Sequence, residues 1–177
     1  MDGVWLGTGG EVTEGFLISV VVRLLVAAVS GGIVGFERGL KGRPAGLKTF
    51  SLVCIGAAMV MVTNEYIMLF ISGGSGDAAR MAAQVISGIG FLGAGTIMVT
   101  GANQVKGLTT AAALWVTAAL GIMIGTGFYF GLVAGTVVVC RFFRLYTLIP
   151  MVFTVHSRSM PLFIEVPQDT VLIQPYY

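Results

Sequence analysis

The sequence predicts an all-α integral membrane protein with five transmembrane helices, and three observations lead there. The chain is 56% hydrophobic and only 10% charged, with a mean hydropathy of +0.93, whereas a soluble domain carries about 25% charged residues. Five apolar windows, 16–36, 49–70, 81–99, 108–126 and 128–146, approach the roughly 20 residues that a membrane-crossing helix needs. Lysine and arginine collect on alternate linkers, as a chain that crosses back and forth requires.

The first window follows a segment with Glu11 and Glu14 and no basic residue. A cleavable signal peptide starts positive, so this segment is expected to stay in the mature protein. The linker after it, "ERGLKGRPAGLK", holds Arg38, Lys41, Arg43 and Lys48. The second linker carries Asp77 and, at the helix edge, Arg80. The third carries Lys106, and the fifth window ends with Arg141 and Arg144. The positive-inside rule then puts the N-terminus outside and the C-terminus in the cytoplasm. Residues 1–146 form the membrane domain and 147–177 a cytoplasmic tail. In that tail "FTVHSRS" and "LFIEV" alternate apolar and polar residues, which reads as short strands. Two strands do not stand alone, so the tail either packs on the membrane domain or begins a further domain of a longer gene product. His156 sits there singly and reads as solvated. Cys54 and Cys140 lie in apolar runs without a metal-type spacing and read as small buried hydrophobes.

Glycine dominates the third window. Gly88-x-Gly90-x-x-Gly93 fits the dinucleotide-binding fingerprint by letter. That fingerprint also needs a preceding strand and an acidic residue about 20 positions on. After Asp77 the next carboxylate is Glu165, so the fingerprint lacks its context and the glycines call for another explanation. In lipid, helices associate through small residues that let backbones approach. Gly31 and Gly35, Gly121 and Gly125, and Gly127, Gly131 and Gly135 all repeat at four-residue spacing. Gly88, Gly90, Gly93 and Gly95 put small positions on several faces, which predicts a central third helix. The alternative is that these glycines break the helix and open a polar path.

Ionisable groups inside a span cost about 2.5–3.5 kcal/mol on insertion scales and so need a partner or a task. Arg23 lies roughly 20 Å and Glu65 roughly 24 Å from the inner ends of their helices at 1.5 Å per residue. The two therefore either meet in the outer third of the bilayer or snorkel separately to its surface. Glu37 and Arg38 read as a solvated helix end, with Arg38, Lys41, Arg43 and Lys48 as a cluster for anionic headgroups or an acidic partner. Arg80 and Gln84 open the third span from outside. Lys106, Thr109 and Thr110 face them from inside, with the two hydroxyls as caps of the fourth helix. Trp115 reads as packing. There is no paired carboxylate, membrane histidine or nucleophile elbow, and the carboxylates Glu37, Glu65 and Asp77 are too dispersed for a magnesium site. No cofactor, metal or enzymatic role is expected. A net charge of +2 gives no reason to invoke nucleic acid.

Four features together resemble the MgtC/SapB family of bacterial membrane proteins: "GGIVGFERGLKGRPAGLKT", "ARMAAQVISGIGFLGAG", "VKGLTTAAALWVTAALG" and the five-span spacing. Glu37, Arg38, Gly46, Leu47, Lys48 and Thr49 match motifs of that family, and some members place Asn where Thr109 stands. The resemblance implies a polytopic inner-membrane protein linked to growth under magnesium limitation, acid stress and survival inside host cells. For some members it implies action on the membrane ATP synthase, and for many a cytoplasmic domain resembling an ACT fold. The expected function is a non-enzymatic regulatory adaptor that binds another membrane complex, with lipids and further copies of itself as other partners. A small transporter lined by Gln84, Thr109 and a broken third span is the second reading, and an accessory structural subunit the third.

Overall fold

The structure, a computed structural model, describes residues 14–40, 42–43, 45–100 and 104–153. Five helices account for most of them: α1 (Glu14–Leu40), α2 (Leu47–Tyr66), α3 (Ala78–Gly95), α4 (Leu108–Gly125) and α5 (Tyr129–Phe153). A π-helical turn, Ile67–Ile71, extends α2, and a small antiparallel hairpin, β1 (Met98–Thr100) with β2 (Gln104–Lys106), joins α3 to α4. The chain divides into two compact units, Met1–Arg141 and Phe142–Tyr177. In the second, the rings of Phe142 and Phe143 meet edge to face at 6.3 Å.

Three helices, Glu14–Leu40, Leu47–Ile71 and Leu108–Gly125, are long and apolar enough to cross a membrane. These same three make the core. Helix α1 has Glu14 in its first turn and Arg38 in its last, the charge order its dipole favours. It runs antiparallel to α2, because Gly35 meets Leu47, Gly31 meets Phe50 and Arg23 meets Glu65. Helix α4 runs parallel to α2, with Gly121 on Cys54 and Gly125 on Ala58 and Met61.

The approach is as close as backbones allow. A Cβ at Gly31 would lie 2.6 Å from the Phe50 carbonyl oxygen, and at Gly35 2.7 Å from the Leu47 Cα. At Gly125 it would lie 2.7 Å from the Ala58 carbonyl oxygen, and Gly121 is tighter still against Cys54. Around these contacts Val34, Phe50, Cys54, Ala58, Leu120 and Ile124 are buried. Two hydroxyls donate to backbone carbonyls. Ser51 donates to the Ala28 carbonyl across the α1–α2 seam (3.2 Å), and Thr117 to the Ala113 carbonyl of its own helix (2.8 Å).

Helix α3 overturns the expectation of a central third span. It starts regularly, with the Asp77 carboxylate accepting from the Ala79 amide at 3.0 Å, and runs unbroken from Ala78 to Gly95. Yet it lies at the edge. Ile89 and Gly93 are its buried residues, Phe91 is 82% exposed, and only Gly93 of its four window glycines touches a neighbour, Ala111 of α4. Cβ atoms at Gly88, Gly90 and Gly95 would meet open space, so these three are not packing glycines within the chain. The helix also stops before the end of the 81–99 window, because residues 98–100 form β1.

Two further expectations change. Gly127 is not part of a packing stripe. It adopts a left-handed backbone (φ +74°) in the α4–α5 turn, a conformation that costs little only for glycine. On α5, Gly131 faces the Phe128 ring, which is adjacent in the chain, and Gly135 faces the Leu120 side chain at 3.2 Å. Trp115, expected in the core, is 47% exposed on α4. Lys41, His156 and the alternating tail lie outside the described residues.

Candidate functional site

Each end of the core holds a buried arginine from α1 that reaches across to α4. At one end Arg23 is 9% exposed. Its Nη1 donates to the Glu65 carboxylate on α2 and to the Gly125 carbonyl at the C-terminus of α4 (2.9 Å). The Tyr129 hydroxyl of α5 faces the same guanidinium, and Gly127 comes so close that a Cβ there would lie 3.5 Å from Nη2. One side chain thus ties three helices, α1, α2 and α4. The Gly125 carbonyl is among the last of α4, which lack intrahelical donors and carry the negative end of the dipole. The two residues placed at similar depth by helix rise do meet.

Glu65 keeps 33% of its side chain open, at a cavity of about 290 Å³ formed with Met61, Asn64, Met68, Leu69 and Thr126. The π-helical turn begins two residues later, with Ser72 N–H bonding the Ile67 carbonyl at 2.9 Å. An aromatic cluster closes this end. Phe16 and Phe70 lie 5.6 Å apart edge to face, and Tyr66 and Phe70 5.0 Å apart, within the range where ring pairs stabilise.

At the other end Arg38 is 4% exposed, which replaces the expected solvated helix end. Its Nη2 donates to Thr110 Oγ1 at 3.0 Å, and Glu37 acts on it from the neighbouring position. Thr110 is therefore not a cap of α4. The residue preceding that helix is Gly107, in a left-handed conformation (φ +97°) without a side-chain cap. Any side chain at Gly107 would collide with the Thr96 carbonyl, so glycine here lets the hairpin close against α4. Thr110 borders a cavity of about 270 Å³ with Ala45, Thr49, Thr96 and Met98.

The remaining candidates do not converge. Lys48, Lys106 and Thr109 are exposed near the Arg38 end, whereas Arg80 and Gln84 are exposed near the start of α3, away from it. Gln84 and Thr109 do not line one path. Gly125, Tyr129 and Thr96 belong to the two ends but carry no chemical signal in the sequence. The Gly125 contact is made by a carbonyl, which every residue has. Gly107, just before the "LTTAA" run, was the one legible hint.

Comparison with known proteins adds what geometry alone does not. A sequence model of the MgtC family matches residues 24–150. The chain is 46% identical over 112 residues to a protein of Escherichia coli (strain K12) named "Putative magnesium transporter YhiD", which covers 62% of this chain and 52% of the relative. It is 48% identical over 103 residues to Protein MgtC of Brucella abortus (strain 2308), 57% and 40% of the two chains. It is 41% identical over 119 residues to Protein MgtC of Salmonella typhimurium, 67% and 48%. The chain thus spans about half the length of these relatives. No solved structure matches it.

Proposed function

The chain belongs to the MgtC family, and from that premise we propose that it is a non-enzymatic regulatory adaptor of the bacterial inner membrane. It crosses the membrane five times, acts by binding another membrane complex, and serves adaptation to magnesium limitation and related stress. The ATP synthase is the partner that the family resemblance suggests.

The observation that carries the adaptor reading is the outer face of α3. Gly90 and Gly95 leave it open to close backbone approach, the feature by which helices associate in lipid, while Gly88 lines an apolar cavity against α2. The core itself is closed by the packing of α1, α2 and α4. The proposed topology, with the N-terminus outside and the C-terminus cytoplasmic, is supported by charge. Helix α1 ends where α2 and α4 begin, so Arg43, Lys48 and Lys106 collect at one end, and positive ends face the cytoplasm.

The name of the Escherichia coli relative favours a second reading, magnesium transport. The core between the two arginines is filled by apolar and small side chains such as Val34, Phe50, Ala58 and Ile124, and no group of three or more potential metal ligands occurs among the described residues. Two measurements separate the readings. Purification in gentle detergent is expected to retain a membrane complex that the Gly90→Leu variant loses. Proteoliposomes of the pure protein are expected to show no magnesium flux; saturable flux would replace the adaptor with a transporter.

A further inference from the structure

Between α2 and α3 lies a cavity of about 470 Å³ that is open on one side. All ten residues around it are apolar or glycine. Ala118 of α4 is buried at its base, whereas Leu52 and Leu92 stand 68% and 55% exposed at its rim. Gly56 on α2 and Gly88 on α3 give it width, since an added Cβ at either would meet nothing within 4 Å. A cavity without polar partners does not hold water, and the solvent around these helices is lipid.

The α2 wall has a direction. Lys48, Leu52, Gly56 and Val60 follow one another at four-residue intervals and so share one face of the helix. Lys48 is exposed in the first turn, one turn beyond the rim at Leu52. The α3 wall reaches the same end, because Gly93, next to Leu92, touches Ala111 in the first turn of α4. From Lys48 to Val60 the helix rises about 18 Å at 1.5 Å per residue, close to half of a hydrocarbon core of about 30 Å. The groove therefore spans one leaflet, apolar along its length and with a cation at its surface end. An anionic phospholipid has the complementary order, a negative headgroup followed by a hydrocarbon chain.

We propose that this groove holds one acyl chain of an anionic phospholipid from the leaflet at the Arg38 end. The headgroup sits at Lys48, and the chain runs past Leu52 and Gly56 to Val60. The site lies apart from the α3 face of the adaptor reading, since Gly88 and Gly90 are two residues apart and point to opposite sides of the helix. The two proposals therefore stand or fall separately.

The test uses the full chain in detergent, with thermal stability followed as dioleoyl-phosphatidylglycerol is added. Dioleoyl-phosphatidylcholine and the short-chain dihexanoyl-phosphatidylglycerol are the controls. Gly56→Leu and Gly88→Leu fill the groove from either wall. Both glycines are exposed, so stability without lipid should match or exceed the wild type. Lys48→Gln removes only the charge. The expected result is a saturable rise in Tm with dioleoyl-phosphatidylglycerol, weakened about tenfold by either leucine and about fivefold by Lys48→Gln. Gly90→Leu should leave it unchanged, and the short-chain lipid should give little response. No response, one that both leucine variants leave intact, or equal responses to short and long chains would overturn the proposal. So would loss of a dimer or of a co-purifying protein in both leucine variants without any lipid response in the wild type, since a helix would then occupy the groove.

Discussion

Gly121 on α4 and Gly90 on α3 both stand in apolar helices rich in small residues, and both read as packing positions. Gly121 is buried against Cys54 and Ala57 of α2. Gly90 has nothing within 4 Å of where a Cβ would be. The difference teaches that small-residue spacing announces a helix able to be approached closely, without saying whether the approaching helix belongs to the same chain. In α1 and α4 the spacing is satisfied internally and holds the core; in α3 it is left facing outward. The central span is α2, which packs closely against both α1 and α4, rather than the glycine-rich α3.

The largest effects are expected where the core is tied by charge. Glu65→Leu leaves the Arg23 guanidinium buried with the Gly125 carbonyl as its acceptor, and removal of one partner from a buried pair costs about 3–5 kcal/mol. Arg23→Leu is expected to cost less, because the stranded Glu65 carboxylate is one-third open and reaches water or the bilayer surface. The double variant should regain much of the loss. Strict additivity of the two changes in a thermal-unfolding cycle would mean that the groups do not act as a pair.

Next come the internal glycines. Gly31→Ala and Gly121→Ala force a methyl into backbone and Cβ atoms, an overpacking that costs typically 1–3 kcal/mol. Denaturation in mixed detergent reads this directly, and stability equal to the wild type would place α1 and α4 further from α2 than the structure does. Thr110→Val should cost about 1–3 kcal/mol, since it takes an acceptor from a buried charged donor. Thr110→Ser should be milder because it keeps the oxygen; equal losses for both would point to the methyl rather than the hydrogen bond. The smallest effect is on α3. Gly90→Ala adds a methyl to open space in a helix interior and is expected to stabilise by roughly 0.5–1 kcal/mol.

Much of this comparison was legible beforehand, and the exceptions have physical reasons. Membrane character, the breaks near residues 41–46 and 72–77, and the glycine seams of α1 and α4 follow from composition and spacing. The Arg23–Glu65 tie was readable because antiparallel neighbours joined by a short linker bring equal depths together. The Arg38–Thr110 tie was not, because the proximity of α1 and α4 depends on packing across an intervening helical pair. The hairpin was missed because Met98 and Val99 extend an apolar run, and short apolar runs do not distinguish strand from helix. The edge position of α3 was invisible for the reason Gly90 illustrates.

The most direct measurement is made on one variant, Gly90→Leu, with stability and co-purification read from the same membranes. Helix α3 as an outward binding face predicts thermal stability equal to the wild type or up to about 1 kcal/mol above it, because leucine is the better helix former, together with loss of the co-purifying membrane complex. Loss of stability by several kcal/mol, or full retention of the complex in a stable variant, would contradict it.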